Sequence, residues 1–293
     1  MTLFGFLNIN KPSGITSRRV VDHVQRMVRP AKVGHAGTLD PLASGVLVVG
    51  VGHATRLFEY LQQMTKSYRG TFLLGQSSTT EDIEGEITTL VNPPRPSHRD
   101  LAAAAARLTG DISQRPPAYS ALKVQGRRAY AVARSGQEVE LVPRTIRVDR
   151  FEIVEYDYPL VMAEIVCSSG TYVRSLGRDL AEHLGTAAVM SALVRTSIGP
   201  FTLDAAVEMD AIDRGTIDRL MLSPLLALES IMPTREVPSQ NLPRLANGQP
   251  MVLDLPAGCE QVAAVDPTGH LVAILERRED GRFWPAKFFP QAG

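Results

Sequence analysis

The apolar run Val46-Leu-Val-Val-Gly-Val follows a glycine-punctuated loop from Gly34 to Gly45 and reads as a buried strand. Tyr68 to Gly75 carries a second strand pattern, and two more lie at Phe151 to Val154 and Val161 to Cys167. Helical signals are equally local. Ser97 and Asp100 bracket a helix start, the alanine-rich Leu101 to Leu108 continues it, and Gly110 closes it. Leu176, Leu180 and Leu184 recur at intervals of four, the core face of a helix running from Arg174 to Gly185. Residues 119–150 show scattered charge and weak periodicity, with breaks at Gly126 and Gly136, so they are expected to form a mobile basic excursion outside the core. The proline-rich stretch from Met232 to Pro243 looks like a domain junction. Beyond it, short strand patterns at Gln261 to Val265 and Leu271 to Leu275, with turn signals at Asp266-Pro-Thr-Gly and Asp280-Gly, predict a small β-barrel.

Composition narrows the class. A chain of 293 residues can hold one large domain plus a small one. No apolar stretch approaches the roughly 18 residues of a membrane span, and the first residues lack a basic start, so a cytoplasmic protein without membrane association is expected. Two cysteines, Cys167 and Cys259, lack the paired spacing of metal or redox motifs. No phosphate-binding loop, His-Glu-x-x-His or calcium-loop spacing occurs, and the histidines are scattered singly. Catalysis by side chains, with no cofactor and no metal, is the expectation.

Charge adds a partner. The 31 basic residues match the 31 acidic ones, but they are segregated. Residues 1–35 hold six basic residues, Lys11 among them, against Asp22 alone, and residues 115–150 hold eight, including Arg127 and Arg128, against three acidic ones. Acidic residues gather instead at Glu81 to Glu86 and Asp204 to Asp218. Such segregation suits a polyanion held along one face, with Lys11, Arg127 and Arg128 among its contacts.

Candidate chemistry centres on Asp40-Pro41. That dipeptide is a common turn initiator, but here Lys32 and His35 flank a loop of small residues that lets a large ligand approach the backbone. Arg174 lies where a strand gives way to a helix. A cation there is opposed by the helix dipole, so the position makes sense with an anionic partner. Tyr68 and Tyr172 are ordinary strand aromatics, and taken one at a time none of these residues identifies an enzyme.

Their order does. Gly5 to Ser17, Lys32 to Gly45, Lys66-Ser-Tyr68, Tyr119 to Lys123, Gly170-Thr-Tyr-Val-Arg174 and Leu193-Val-Arg-Thr196 together resemble the bacterial tRNA pseudouridine-55 synthases, the TruB family, across nearly the whole chain. The resemblance implies an α+β pseudouridine synthase fold, with a central mixed, mainly antiparallel sheet and flanking helices. It also implies a catalytic domain at 1–235 with a basic thumb-like insertion at about 119–150, and an RNA-binding barrel similar to the PUA domain at 236–293. Asp40 matches the catalytic aspartate, Tyr68 the tyrosine that stacks on the target base, and Arg174 the arginine that pairs with the aspartate. Tyr172 and Leu193 match pocket-lining positions, and His35 a histidine that packs into the T-loop. Ser44 stands where threonine is common. The implied reaction is isomerisation of uridine 55 in the T-arm of tRNA by a monomer working without a guide RNA. Its chemistry needs a flipped base, an ionised carboxylate and a pocket that retains the detached uracil.

Three other readings compete, one of them a guide-RNA-dependent relative that shares the catalytic motifs, although the Tyr119 to Arg134 stretch looks like the stand-alone bacterial type. A glycoside or nucleoside hydrolase would also use a carboxylate near a glycosidic bond, but it normally needs a second carboxyl group, and the Asp40 motif contains none. A non-catalytic tRNA-binding protein or RNA chaperone would use the same basic segments, with Asp40 as a turn residue.

Overall fold

The computed structural model describes residues 3–119, 141–256 and 258–290, with the backbone alone at 123–124 and 127–128. The chain opens with strand β1 (Gly5–Lys11), helix α1 (Ser17–Val28), β2 (Val33–Ala36) and β3 (Ser44–Val51). Helix α2 (Phe58–Gln63), β4 (Lys66–Leu74), the short hairpin β5 (Gln76–Ser78) and β6 (Ile87–Thr89), α3 (His98–Arg107) and β7 (Gly110–Gln114) follow. Two-residue strands β8 (Lys123–Val124) and β9 (Arg127–Arg128) pair with each other. Then come β10 (Arg144–Asp157), β11 (Leu160–Cys167), α4 (Val173–Glu182), β12 (Ala188–Ile198), β13 (Phe201–Thr202) and β14 (Val207–Glu208).

The ten-stranded sheet runs β14-β1-β3-β12-β4-β11-β10-β7, with β2 on β3 and β13 on β12. Pairs β1–β14 and β3–β12 are parallel and the rest antiparallel, so the sheet is mixed and mainly antiparallel, as expected. The helices bury apolar stripes on it. Val20, Val24 and Val28 of α1 meet Leu7, Ile9, Leu47 and Val49. Leu101, Ala104 and Ala105 of α3 and Leu176 and Leu180 of α4 meet Phe72, Val148 and Val161. Helix α3 starts where the sequence signals it: the Ser97 side chain accepts from the Asp100 N–H while the Asp100 carboxylate accepts from the Ser97 N–H.

The basic stretch differs from expectation at its end. β10 begins at Arg144, and Ile146 and Val148 are buried while Arg147 and Asp149 face solvent. This is the alternation of a half-buried strand, hidden in the sequence by its charges, and residues 144–150 are therefore core sheet rather than excursion. Residues 120–122, 125–126 and 129–140 of the expected insertion lie outside the described residues.

The C-terminal strands β15 (Thr234–Glu236), β16 (Gln261–Val265), β17 (Leu271–Arg277) and β18 (Phe283–Phe288) form a sheet in that order. Met251 bridges to Phe283, and among the described residues the sheet is open rather than a closed barrel. β15 straddles the expected junction at 235/236. Met232, Ala263, Leu271, Ile274 and Phe289 share one apolar cluster with Phe6, Val46, Leu57 and Leu61, so the two sheets pack directly together.

Candidate active site

Asp40 sits in the loop between β2 and β3, and the loop after β1 holds it in place. The Ser17 hydroxyl donates to the Leu39 carbonyl and accepts from the Leu39 N–H, both at 2.9 Å. The Gly14 N–H donates to the Pro41 carbonyl at 2.8 Å, and the Ser13 hydroxyl to that of Leu42 at 2.8 Å. Lys11, fully buried, donates to the carbonyls of Ile15 at 2.7 Å, Pro12 at 2.9 Å and Pro41 at 3.4 Å. Burial pushes the Lys11 ammonium down to about 8. This corrects the expectation that Lys11 contacts RNA: its charge is enclosed and engaged by backbone carbonyls, and its role is to brace the Asp40 loop.

The far side of the loop rests on β12. Arg195, 1% exposed, donates through Nε to the Val46 carbonyl at 2.8 Å and through Nη2 to that of Gly37 at 3.1 Å. β3 and β12 run so close that a Cβ on Gly45, whose φ is +98°, would lie 2.3 Å from the Arg195 carbonyl oxygen. Only glycine fits there.

Arg174, in the first turn of α4, has the anionic partner its position demands. It is 7% exposed, and its Nε lies 3.1 Å from Asp40 Oδ2. Its Nη1 lies 3.3 Å from Asp82 Oδ2 and donates to the Thr80 carbonyl at 2.7 Å, while Nη2 donates to that of Tyr119 at 3.1 Å. The guanidinium thus fixes the carboxylate of Asp40, whose side chain remains 38% exposed to the cleft.

Tyr68 on β4 is buried opposite Arg195, and desolvation raises its phenol above the usual range, so it stays neutral. Leu193 is buried on β12 opposite Gly70. Tyr172 caps α4, and its backbone is clamped by fully buried Gln114, which accepts from the Tyr172 N–H at 2.9 Å and donates to its carbonyl at 3.0 Å. Asp40, Tyr68, Tyr172, Arg174 and Leu193 all line one cleft of about 870 Å³.

A family model described as TruB family pseudouridylate synthase (N terminal domain) matches residues 25–173. The chain belongs to the TruB family. A tRNA pseudouridine synthase B of Rhodococcus jostii is 41% identical over 286 residues, covering 94% of this chain and 90% of the relative. Another, from Cutibacterium acnes, is 42% identical over 285 residues and covers 95% of each. Among solved structures, a chain of a Cbf5-Nop10-Gar1 complex superposes with a TM-score of 0.71 at 25% identity, covering 98% of this chain and 84% of that one.

In this TruB-family enzyme the loop between β5 and β6 adds residues that the sequence reading missed. Asp82, 3% exposed, accepts from the Thr80 hydroxyl at 2.6 Å and the Glu84 N–H at 3.1 Å besides pairing with Arg174. Both of its oxygens are engaged, which makes it a brace for Arg174. Glu84 also lines the cleft, and burial, then Asp82 and Asp40, hold its carboxyl above the usual range. The absence of a second carboxyl group, read from the Asp40 motif, therefore does not hold in space. Neither Asp82 nor Gln114 had a local signal, since their roles depend on contacts with residues 58 or more positions away.

His35 lies on β2 opposite Val49 and outside the cleft lining. Burial lowers its ring below the ordinary histidine range, and Nδ1 is enclosed without a partner. The side chains of Arg127 and Arg128 lie outside the described residues. Among the described residues, no group of three or more His, Cys, Asp and Glu side chains is placed to hold a metal ion, and no helix is long and apolar enough to cross a membrane.

Proposed function

We propose that this TruB-family enzyme converts uridine 55 in the T-loop of tRNA to pseudouridine, acting alone, with Asp40 as the catalytic carboxylate. The reaction breaks the C1′–N1 bond, turns the uracil and joins C5 to C1′; the C5 hydrogen leaves as a proton and N1 takes one up, so no atom is gained or lost. The observation that carries the reading is Asp40 held by buried Arg174 in a cleft that also presents Tyr68. Arg174 orients the carboxylate toward the sugar and base, Tyr68 supplies a stacking face worth roughly 1–3 kcal/mol, and Leu193 and Tyr172 wall in the detached ring. His35 and the basic segments, including Arg127 and Arg128, hold the folded T-arm, whose shape selects the uridine. The relatives named tRNA pseudouridine synthase B support tRNA as the substrate.

The test is tritium release from a tRNA transcript labelled at uridine C5, with assay of free uracil alongside. Release by the parent protein without free uracil, and none by Asp40→Ala, supports the reading. No release from either would mean a protein that only binds RNA, equal release from both would mean that Asp40 is not the catalytic carboxylate, and stoichiometric free uracil would mean a hydrolase.

A further inference from the structure

Four cationic side chains line the cleft: Lys66, Arg144, Arg174 and Arg195. Three are engaged by the protein. Arg174 bonds Asp40, Asp82 and the carbonyls of Thr80 and Tyr119. Arg195 bonds the carbonyls of Val46 and Gly37, and Lys66 those of Gln62 and Met64. Arg144 differs. Its guanidinium lies over the Tyr172 ring, 4.9 Å from the centroid, and donates through Nη2 to the Gly170 carbonyl. Its Nε is enclosed with no hydrogen-bond partner, and among the described residues no carboxylate pairs with it.

An enclosed guanidinium N–H without an acceptor is costly, and a ligand that supplies the acceptor removes that cost. The ligand chemistry follows from the surroundings. A flipped nucleotide brings its phosphate to the mouth of the pocket that takes its base. That pocket contains three carboxylates, Asp40, Asp82 and Glu84, so a phosphate entering it needs a cation that they do not already engage. Arg174 is already balanced by two of them, so it cannot also offset the phosphate. Arg144 presents a planar fork suited to a phosphate oxyanion, on a strand rather than a loop. Tyr172, on which it rests, is fixed by Gln114, so the arginine has a rigid base from which to turn.

We infer that Arg144 is the phosphate ligand of the flipped nucleotide, exchanging its bond to Gly170 for a backbone phosphate adjoining the target uridine. This rests on the pseudouridine synthase reading above. In the exchange, Nε gains its acceptor and the base and its phosphate become fixed together, through Tyr172 and Arg144 side by side.

The experiment uses T-arm stem-loop RNAs in which the phosphate 5′ or 3′ of the target uridine is a neutral methylphosphonate. Binding is measured for the parent protein, Arg144→Gln and Arg144→Lys, after C5 tritium release has been recorded for the parent on unmodified RNA. Neutralising one of the two phosphates is expected to weaken the parent about tenfold, as expected for one charge-assisted contact. Arg144→Gln is expected to bind unmodified RNA about tenfold less tightly, to lose nothing further on neutralisation, and to lower the slope of log K against log salt by about 0.7–0.9. Arg144→Lys keeps the charge without the fork and falls between. If neutralisation at either phosphate weakens parent and Arg144→Gln by the same factor, or if Arg144→Gln binds as the parent does, the inference is wrong. A purely structural arginine gives that first pattern, because misfolding lowers affinity without removing sensitivity to one phosphate. Absence of tritium release by the parent overturns the synthase reading and this inference with it, whereas release with unchanged phosphate coupling overturns the inference alone.

Discussion

Ser17→Ala tests whether the loop carrying Asp40 is held from the β1–α1 side. The Ser17 hydroxyl satisfies both the N–H and the C=O of Leu39, each at 2.9 Å, in a buried setting where the serine is 2% exposed. Alanine removes both of these hydrogen bonds to Leu39. An unsatisfied buried backbone group costs about 1–3 kcal/mol, so two predict a loss of roughly 2–4 kcal/mol after some relaxation. Alanine's better helix propensity at this first residue of α1 returns only about half a kcal/mol. Because Asp40 is the next residue, the relaxation also moves the carboxylate, and a displacement near 1 Å costs about 100-fold in rate. Denaturant unfolding at unchanged m-value measures the first effect, and single-turnover tritium release at saturating RNA measures the second. A variant as stable as the parent within about 0.5 kcal/mol, a change typical of surface positions, and equally fast would refute the claim that this hydroxyl positions the loop.

Asp82→Asn keeps the shape but removes one of the two charges on Arg174, and it should lower the rate of chemistry about 100-fold with RNA affinity nearly unchanged; an unaltered single-turnover rate would show that Arg174 needs only Asp40. Gly45→Ala puts a Cβ 2.3 Å from the Arg195 carbonyl oxygen at a φ of +98° and should cost more than about 3 kcal/mol or prevent soluble expression, as read by thermal unfolding. Burial pushes the Lys66 ammonium down to about 8 from 10.5, so the unfolded chain binds the proton more tightly between those values. Within that window, stability contributed by this residue rises with pH, by up to about 1.4 kcal/mol per unit. Measured against Lys66→Met, the parent should therefore gain stability from pH 8 to 10, and parallel stability curves would contradict the assigned cause.

The parts of the fold legible in the sequence were those governed by local rules. The capped α3, the leucine stripe of α4 and the apolar β3 each advertise themselves within a dozen residues. β12 does not: Ser191 and Ser197 fall at its two register shifts against β4, and Arg195 breaks its apolar pattern because it turns inward to hold the Asp40 loop. Lys11 was misread for a related reason. A lysine in a basic segment looks like a phosphate ligand until the fold wraps three carbonyls around it. At the site, Asp40, Tyr68, Tyr172, Arg174 and Leu193 were anticipated as a set and line the same cleft. Asp82, Glu84 and Arg144, which line the cleft, and Gln114, which clamps Tyr172 from behind, were not, since each is placed by pairing between distant segments that no local spacing encodes.

If Asp40 drives isomerisation at one uridine of the T-loop, pseudouridine forms at that position and only with the carboxylate intact. Carbodiimide labelling specific for pseudouridine, followed by primer extension on tRNA treated with parent protein or Asp40→Asn, tests it most directly. A stop at position 55 is expected with the parent and none with the variant. A stop elsewhere, or an equal stop with Asp40→Asn, would contradict it.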